Sequence, residues 1–241
     1  MNNFTYGAEL EFYLFDSHGS PIADLNSGKY PTKTYSIKSN LSSNLENFKE
    51  NLEYDLQNEY GPGQFEINFN KTINYRSLID EIDKAKQNII YSAEKHNMQA
   101  VFLPKPLDNQ PGNGLHIHVS HPDFNDENIL LSAIAGCLQA IQNDLPAFAN
   151  HKQSINRFVA NYDAPTKICW GGNNRTTAIR IPNPYDKRIE HRVADSMANP
   201  LQVINAVNKA IQSGIEQQLQ PSAKVWGNAF DDQYDYPLII A

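Results

Sequence analysis

The sequence predicts an α+β fold in which a curved, mainly antiparallel sheet is backed by helices. Strand-like segments with apolar residues at every second position are interspersed with segments of helical periodicity. The strand-like segments are separated by helices of varied spacing and by tight turns, which is not the regular βαβ series of a parallel sheet. The hydrophobic content of 40% and charged content of 20% are ordinary for a globular protein. We expect one domain over residues 1–241.

Four segments are predicted to be helical. One runs from Glu127 to Asp144, with Pro146 just beyond it. The last begins at Asn199, a residue type that caps helix starts, and Pro200 follows in the favoured first position. The apolar positions are Leu41, Leu45, Phe48 and Leu52 in the first segment; Leu78, Ile82, Ala85, Ile89 and Ala93 in the second; and Leu201, Ile204, Val207, Ile211, Ile215 and Leu219 in the last.

Five segments alternate as strands do: ELEFYLF, QFEINFN, LHIHVS, TTAIRIP and RIEHRVA. In four of them one face is apolar and the other carries groups suited to chemistry, because successive side chains of a strand point to opposite faces. The polar faces hold Glu9 and Glu11; Gln64, Glu66 and Asn68; His116 and His118; and Arg188, Glu190 and Arg192.

The acids and imidazoles form a ligand set for a hard divalent cation. Magnesium and manganese prefer such oxygen and nitrogen donors. If the strand faces converge, the carboxylates repel one another unless cations lie among them, so two metal ions with arginines opposite for a phosphate are the natural explanation. The set is Glu9, Glu11, Glu59, Glu66, Glu190, His116 and His118.

Several classes of function are disfavoured by the sequence. A net charge of −7 without a basic block argues against nucleic-acid binding. No apolar stretch is long enough for a membrane span and no signal-peptide pattern is present, so we expect a cytoplasmic protein. The sequence contains no GxxxxGK[ST], GxGxxG or GxSxG motif. Cys137 and Cys169 lie outside any zinc-binding spacing and are interpreted as packing residues.

Six blocks in order resemble the signature blocks of the glutamine synthetase catalytic domain. They are GAELEFYLFD, EYGPGQFEINFN, GNGLHIHVS, NRFVANYDAP, GGNNRTTAIRIP and RIEHRVADSMANP. The resemblance extends from Tyr6 to about Leu219. It implies an enzyme that uses ATP to phosphorylate the side-chain carboxylate of glutamate, after which an amine attacks the acyl phosphate. ATP and two or three Mg²⁺ or Mn²⁺ ions are the implied cosubstrate and cofactors.

The resemblance also implies individual roles. Charge stabilisation by the metals and guanidinium groups would dominate catalysis. One metal would be held by Glu11, Glu59 and Glu66, and the second by Glu9, His116 and Glu190. The substrate carboxylates would contact Arg157, Arg192 and the backbone at Gly112, and the phosphoryl group of ATP would contact His118, Arg175, Arg180 and Arg188.

Three departures from the family pattern bear on the substrate. The family carries a small β-grasp domain before the first catalytic strand, and in this sequence that strand starts within ten residues of Met1, so we expect a homo-oligomer or a separate partner chain to replace that domain. Asp163 stands where ammonia-using members have a glutamate base, and a shorter carboxylate leaves room for a larger amine. Pro111 replaces a substrate-binding asparagine and the C-terminal segment is short. We expect an amine other than ammonia.

Two alternatives to a ligase stay open at this point. A nucleotide- and metal-binding sensor or subunit would retain the ligands without turnover. A phosphotransferase would stop at the acyl phosphate or phosphorylate a related small molecule. Both differ from a ligase in whether an amine-containing product forms.

Overall fold

The computed structural model describes residues 3–28 and 33–240. The fold is α+β, as predicted. The strands are β1 Thr5–Asp16, β2 Ala23–Ser27, β3 Thr34–Ile37, β4 Leu56–Asn58, β5 Gln64–Asn68, β6 Met98–Val101, β7 Leu115–Ser120, β8 Trp170–Gly171, β9 Ile179–Arg180 and β10 Arg188–His191. The α-helices are α1 Ser42–Glu50, α2 Tyr75–Lys95, α3 Glu127–Ala140, α4 Leu145–Phe148 and α5 Pro200–Glu216, and 3₁₀ turns occupy Ser39–Leu41, Pro122–Asn125 and Ser154–Arg157.

The main sheet has eight strands in the order β4-β5-β1-β7-β10-β9-β8, and β6 also pairs with β1. Every pairing in it is antiparallel except that between β8 and β9. Strand β1 is long enough to pair with β7 and then β6 along one edge and with β5 along the other. The two strands β2 and β3 form a separate small sheet. The prediction of a mainly antiparallel sheet is therefore confirmed.

The helices begin where the sequence places capping residues. The Asn199 side chain accepts from the backbone N–H groups of Leu201 and Gln202, and Asn74 caps α2 in the same way. The Asp126 side chain accepts from the N–H of Asn128 at the start of α3. This helix ends at Ala140, four residues before the predicted end at Asp144. Residues 141–144 form turns that lead into α4. Pro146 is therefore in the first turn of α4 and does not mark the end of α3.

One predicted strand is much shorter than expected. Of the segment TTAIRIP only Ile179–Arg180 is a strand. The hydroxyl oxygen of Thr177 lies 2.9 Å from the backbone oxygen of Asn174 and 3.0 Å from that of Ile179, so its one hydrogen can be donated to either, a local arrangement that competes with a regular ladder. Pro182 has no N–H to extend the pairing. The prediction was therefore wrong in the length of this strand. The short strand still belongs to the main sheet, and Arg180 is one of its two residues.

The apolar faces of the central strands pack against the helices. Leu10, Ile67 and Ile117 are completely buried on β1, β5 and β7. The core extends over the apolar stripe of α2 and over α5, which packs closely on α3. Full burial of each such side chain stabilises the fold by about 1.5–3 kcal/mol. This packing fixes the strands whose other face carries the polar groups. No helix within the described part of the chain combines the length and apolarity that a bilayer span needs.

Candidate active site

Strand pairing brings the four predicted polar faces together. Strands β5, β1, β7 and β10 are neighbours in that order. Across these pairs Glu11 lies opposite Glu66, Glu9 opposite His116, and Glu190 opposite His118. Directly opposed residues share one face of a sheet. The acids and imidazoles that the sequence singled out are thus one continuous cluster.

Three acids of the cluster converge as a ligand set. One oxygen from each of Glu11, Glu59 and Glu66 lies within 4.8 Å of the others. Burial and the charge of Glu11 raise the pKa of the Glu59 carboxyl, whereas the charge of Arg175 lowers it. The net pKa is about 8. Burial and the neighbouring Glu9 and Glu11 raise the pKa of Glu66 to about 9. Such crowding is relieved by protons or by a cation, and buried carboxylate oxygens fit Mg²⁺ or Mn²⁺.

A second group centres on Glu9. Its two oxygens contact His116 Nδ1 at 3.1 Å and His118 Nε2 at 2.9 Å. Burial raises the pKa of Glu9, but the hydrogen bonds with the two histidines lower it by a larger amount. The net pKa of Glu9 therefore lies below its ordinary value. Potential ligand atoms of Glu9, His118 and Glu190 lie within 4.8 Å of one another, as do those of Glu9, Glu66 and His116. Glu9 therefore joins both sets of possible ligands.

Glu190 is held by two guanidinium groups. Its oxygens accept from Arg180 NH1 at 2.8 Å and from Arg192 NH1 at 2.6 Å, and the side chain is fully buried. Burial raises the pKa of Glu190, whereas Arg192 chiefly lowers it, with a net lowering that keeps it ionised. One of its oxygens is 3.7 Å from His116 Nδ1. Glu190 thus links the metal-type ligands to the arginines.

A narrow pocket beside the cluster has the features of a carboxylate site. Arg157 is buried, and it donates to the backbone oxygens of Val193 at 2.9 Å and Arg192 at 3.2 Å. The Nε atoms of Arg157 and Arg192 have no hydrogen-bond partner within the described residues. A Cβ atom on Gly112 would lie 2.8 Å from Arg157 Cγ and 2.4 Å from the Pro104 oxygen, so only glycine fits there. The pocket is lined by Glu11, Glu59, Gln64, Pro111, Gly112, His116, Arg157, Tyr162, Asp163, Ala164 and Arg192.

Asp163 lies on a loop at this pocket and has a left-handed backbone with φ of 61°. Its backbone oxygen accepts from Arg192 NH2 at 2.9 Å, which ties the loop to the cluster. Nearby, burial and Arg192 lower the pKa of Arg175, while Glu59, Tyr60 and Asp163 raise it to a net value above the ordinary one. Asp163, the predicted base, and Arg175, the predicted phosphate ligand, therefore interact electrostatically.

The remaining phosphate-type residues form a hydrogen-bonded chain on the other side of the cluster. Arg188 Nε donates to His118 Nδ1 at 3.2 Å, and its NH1 donates to Asp186 at 3.1 Å. Since His118 also contacts Glu9, it stands between the metal-type ligands and Arg188. All the predicted site residues thus adjoin the cluster or its pocket, and their assigned roles stay predictions.

The sequence interpretation missed several residues at the site. Asn173 Oδ1 accepts from Arg180 Nε at 3.2 Å. Gln64 Nε2 donates to the oxygen of Gly112 at 3.1 Å, which supports the pocket wall. Lys105 Nζ lies 4.2 Å from the centroid of the Tyr162 ring, and chiefly burial lowers its pKa to about 8. Gln64 was visible on a polar strand face, but Asn173 and Lys105 come from loops without a periodic signal.

We expect binding of Mn²⁺ to release about two protons per chain at pH 7, because metal ligands must be deprotonated. The raised pKa values of about 8 for Glu59 and about 9 for Glu66 keep both carboxyls protonated at pH 7 in the metal-free protein. Metal affinity should therefore rise with pH and level off above pH 9. Calorimetric titration in two buffers of different ionisation enthalpy measures the proton release. Glu66→Gln should release fewer protons, and proton-independent binding between pH 6 and 8 would contradict the prediction.

The chain is similar to known proteins over almost its whole length. It matches the model of the family "Glutamine synthetase, catalytic domain" over residues 2–236. It is 32% identical to gamma-glutamylputrescine synthetase PuuA of Escherichia coli K12, with coverage of 93% of this chain and 54% of the relative. It is 31% identical to a glutamine synthetase of Staphylococcus epidermidis, with coverage of 96% and 56%. The chain therefore spans about half the length of these curated relatives.

Solved structures support the same fold. Ligand-free GmaS superposes with a TM-score of 0.77 at 24% identity, covering 98% of this chain and 59% of that one. Glutamine synthetase of Plasmodium falciparum gives a TM-score of 0.68 at 22% identity, covering 91% and 53%. At these identities the similarity concerns the fold alone. Taken with the family match over residues 2–236, it shows that the chain belongs to the glutamine synthetase family through its catalytic domain.

Proposed function

We propose that this chain carries the catalytic centre of an ATP-dependent ligase that joins a glutamate-type carboxylate to an amine. The observation that supports this most is the continuity of two kinds of site. A cluster of five glutamates and two histidines leads directly, through Glu190 and Arg192, into a pocket with the buried Arg157. Phosphoryl transfer to a carboxylate needs cationic groups at the phosphates next to an anion-binding pocket.

In the proposed reaction, an oxygen of the side-chain carboxylate attacks the γ-phosphorus of ATP, which gives an acyl phosphate and ADP. The amine nitrogen then attacks the carbonyl carbon, and inorganic phosphate leaves. Arg157 and Arg192 bind the substrate carboxylates, and Arg175, Arg180, Arg188 and His118 surround the transferred phosphoryl group. Bound Mg²⁺ or Mn²⁺, held by the glutamates and His116, would supply neutralisation of phosphate charge. Asp163 accepts the proton that the attacking amine loses.

The acceptor is proposed to be an amine larger than ammonia. Asp163 has a shorter side chain than the glutamate of ammonia-using members, and it lines the substrate pocket. A relative with 32% identity is named for the ligation of putrescine. Primary alkylamines and diamines are therefore the first acceptors to examine.

The experiment combines the protein with ATP, MgCl₂ or MnCl₂, and glutamate, with ammonium, methylamine, ethanolamine or putrescine in turn. ADP and γ-glutamyl products are followed by mass spectrometry. We expect one amine to give a product at the highest rate and Arg157→Met to abolish the product. Arg76→Met is the matched control, because Arg76 is an exposed arginine on α2.

The other outcomes separate the alternatives. ADP and an acyl phosphate in the absence of any amine product would favour a phosphotransferase. If the chain binds nucleotide but no amine gives a product, the proposal that this chain alone is a ligase is contradicted. That result would favour a nucleotide-binding subunit that acts with a partner chain. An equal loss of product in Arg76→Met would show that the effect of Arg157→Met is not specific to the pocket.

A further inference from the structure

A second cavity, of about 700 Å³, adjoins the site described above at Asn173, which lines the cavity and accepts from Arg180. It is bounded by the first turns of α3, by the segment that joins β9 to β10, and by the residues around Lys224. None of its lining side chains belongs to the carboxylate cluster or to the pocket of Arg157. Its volume lies within the range of about 300–1,000 Å³ that is typical of small-molecule sites.

The walls of this cavity are apolar and aromatic. Leu130 and Ile134 of α3 contribute aliphatic surface. Trp170 and Trp226 contribute indole rings, and Trp226 is 81% exposed. A large aromatic side chain left in contact with solvent beside an apolar cavity is a surface that a planar ligand can cover. The walls therefore favour an aromatic ligand.

Lys224 places a positive charge among these rings. Its Nζ lies 4.3 Å from the centroid of the Trp226 ring and 5.7 Å from that of Trp170. Lys224 has no carboxylate partner among residues 3–28 and 33–240. Lys187 also lines the cavity, and Glu127 is the acid among the lining residues. The lining thus carries one excess positive charge, which suits a monoanion better than a polyphosphate.

We propose that this cavity binds a small aromatic carboxylate, with its ring against Trp226 and its carboxylate on the ammonium group of Lys224. The ring would cover exposed indole surface, and the carboxylate would give the half-buried ammonium its anion. Within the described residues, the Trp226 ring is largely exposed and the Lys224 ammonium has no carboxylate partner, so both groups can contact a ligand. The proposal concerns a site separate from the proposed ligase centre and does not depend on that activity.

Tryptophan fluorescence reports this cavity directly, because the chain has 2 tryptophans and both line it. The probe is 3-phenylpropanoate, and its matched analogues are 3-phenylpropan-1-ol and 3-phenylpropylamine. We expect a saturable change of emission with the acid. The acid should bind about tenfold more tightly than the alcohol, a difference of about 1.4 kcal/mol, because its carboxylate makes a charge-assisted hydrogen bond with Lys224. The cationic amine should bind most weakly.

Variants of Lys224 complete the test. Lys224→Gln should weaken binding of the acid about tenfold and leave binding of the alcohol unchanged, whereas Lys224→Arg should retain the preference for the acid. Lys209→Gln, an exposed lysine on α5, should change neither. Circular dichroism verifies that each variant is folded. The proposal is overturned if no ligand gives a saturable signal, if acid and alcohol bind equally, or if Lys224→Gln binds the acid as well as the unaltered protein does.

Discussion

Replacement of Glu190 by glutamine is expected to lower the free energy of unfolding of the metal-free protein by about 3–5 kcal/mol. The carboxylate is fully buried, and its two oxygens accept from Arg180 at 2.8 Å and Arg192 at 2.6 Å. The amide of glutamine retains the shape but removes the charge. Two guanidinium groups are then left in the interior without their anion, which costs far more than the loss of an exposed ion pair. Denaturant unfolding followed by circular dichroism at pH 7 measures the change.

The control for this effect is Glu53→Gln. Glu53 pairs with Lys84 at 3.0 Å, but the side chains of the lysine and the glutamate are 65% and 60% exposed. Solvent screens such a pair, and its removal should change stability by less than about 1 kcal/mol. A similar loss in both variants would contradict the argument from burial. So would a loss below about 1 kcal/mol in Glu190→Gln.

The convergence of polar groups could be predicted because strand alternation is a local property. Glu9 and Glu11 on β1, Glu66 on β5 and His116 on β7 each lie opposite apolar residues of the same strand. A sheet that buries one face must present these residues together on the other. Strand order did not have to be known for this step. It is the order β5-β1-β7-β10 that decides which pairs are in contact.

Partner choice within the cluster could not be read from the sequence. The resemblance placed Glu190 with the metal ligands and His118 with the phosphate. The structure adds contacts that the sequence did not predict, of Glu190 with two arginines and of His118 with Glu9 at 2.9 Å, and the roles given to both residues stay predictions. Side chains on one face have several neighbours within reach, and local pattern does not rank them. The antiparallel pair of β2 and β3 was missed because ADLNS and TYSI lack clear apolar alternation.

The second large effect is expected at Asp163, which combines an unusual backbone with a position at the pocket of Arg157. Its φ of 61° is in the left-handed region, which asparagine tolerates better than most residues. Its backbone oxygen accepts from Arg192 NH2 at 2.9 Å, and this contact does not involve the carboxylate. Asp163→Asn removes the charge and keeps a residue type that suits this backbone conformation. A comparison of two nucleophiles then separates loss of the charge from displacement of the loop.

If Asp163 takes the proton from the attacking amine, Asp163→Asn should lower kcat for γ-glutamyl amide formation by about 100- to 10,000-fold. Formation of the acyl phosphate needs no such proton transfer. Hydroxylamine is largely unprotonated at neutral pH, so its reaction with the acyl phosphate should persist in the variant, and the rate with alkylamines should recover as pH rises. Asp108→Asn, at an exposed loop position, is the control. An equal fall with hydroxylamine and alkylamines at every pH would assign Asp163 a structural role, because a misplaced loop affects both nucleophiles alike.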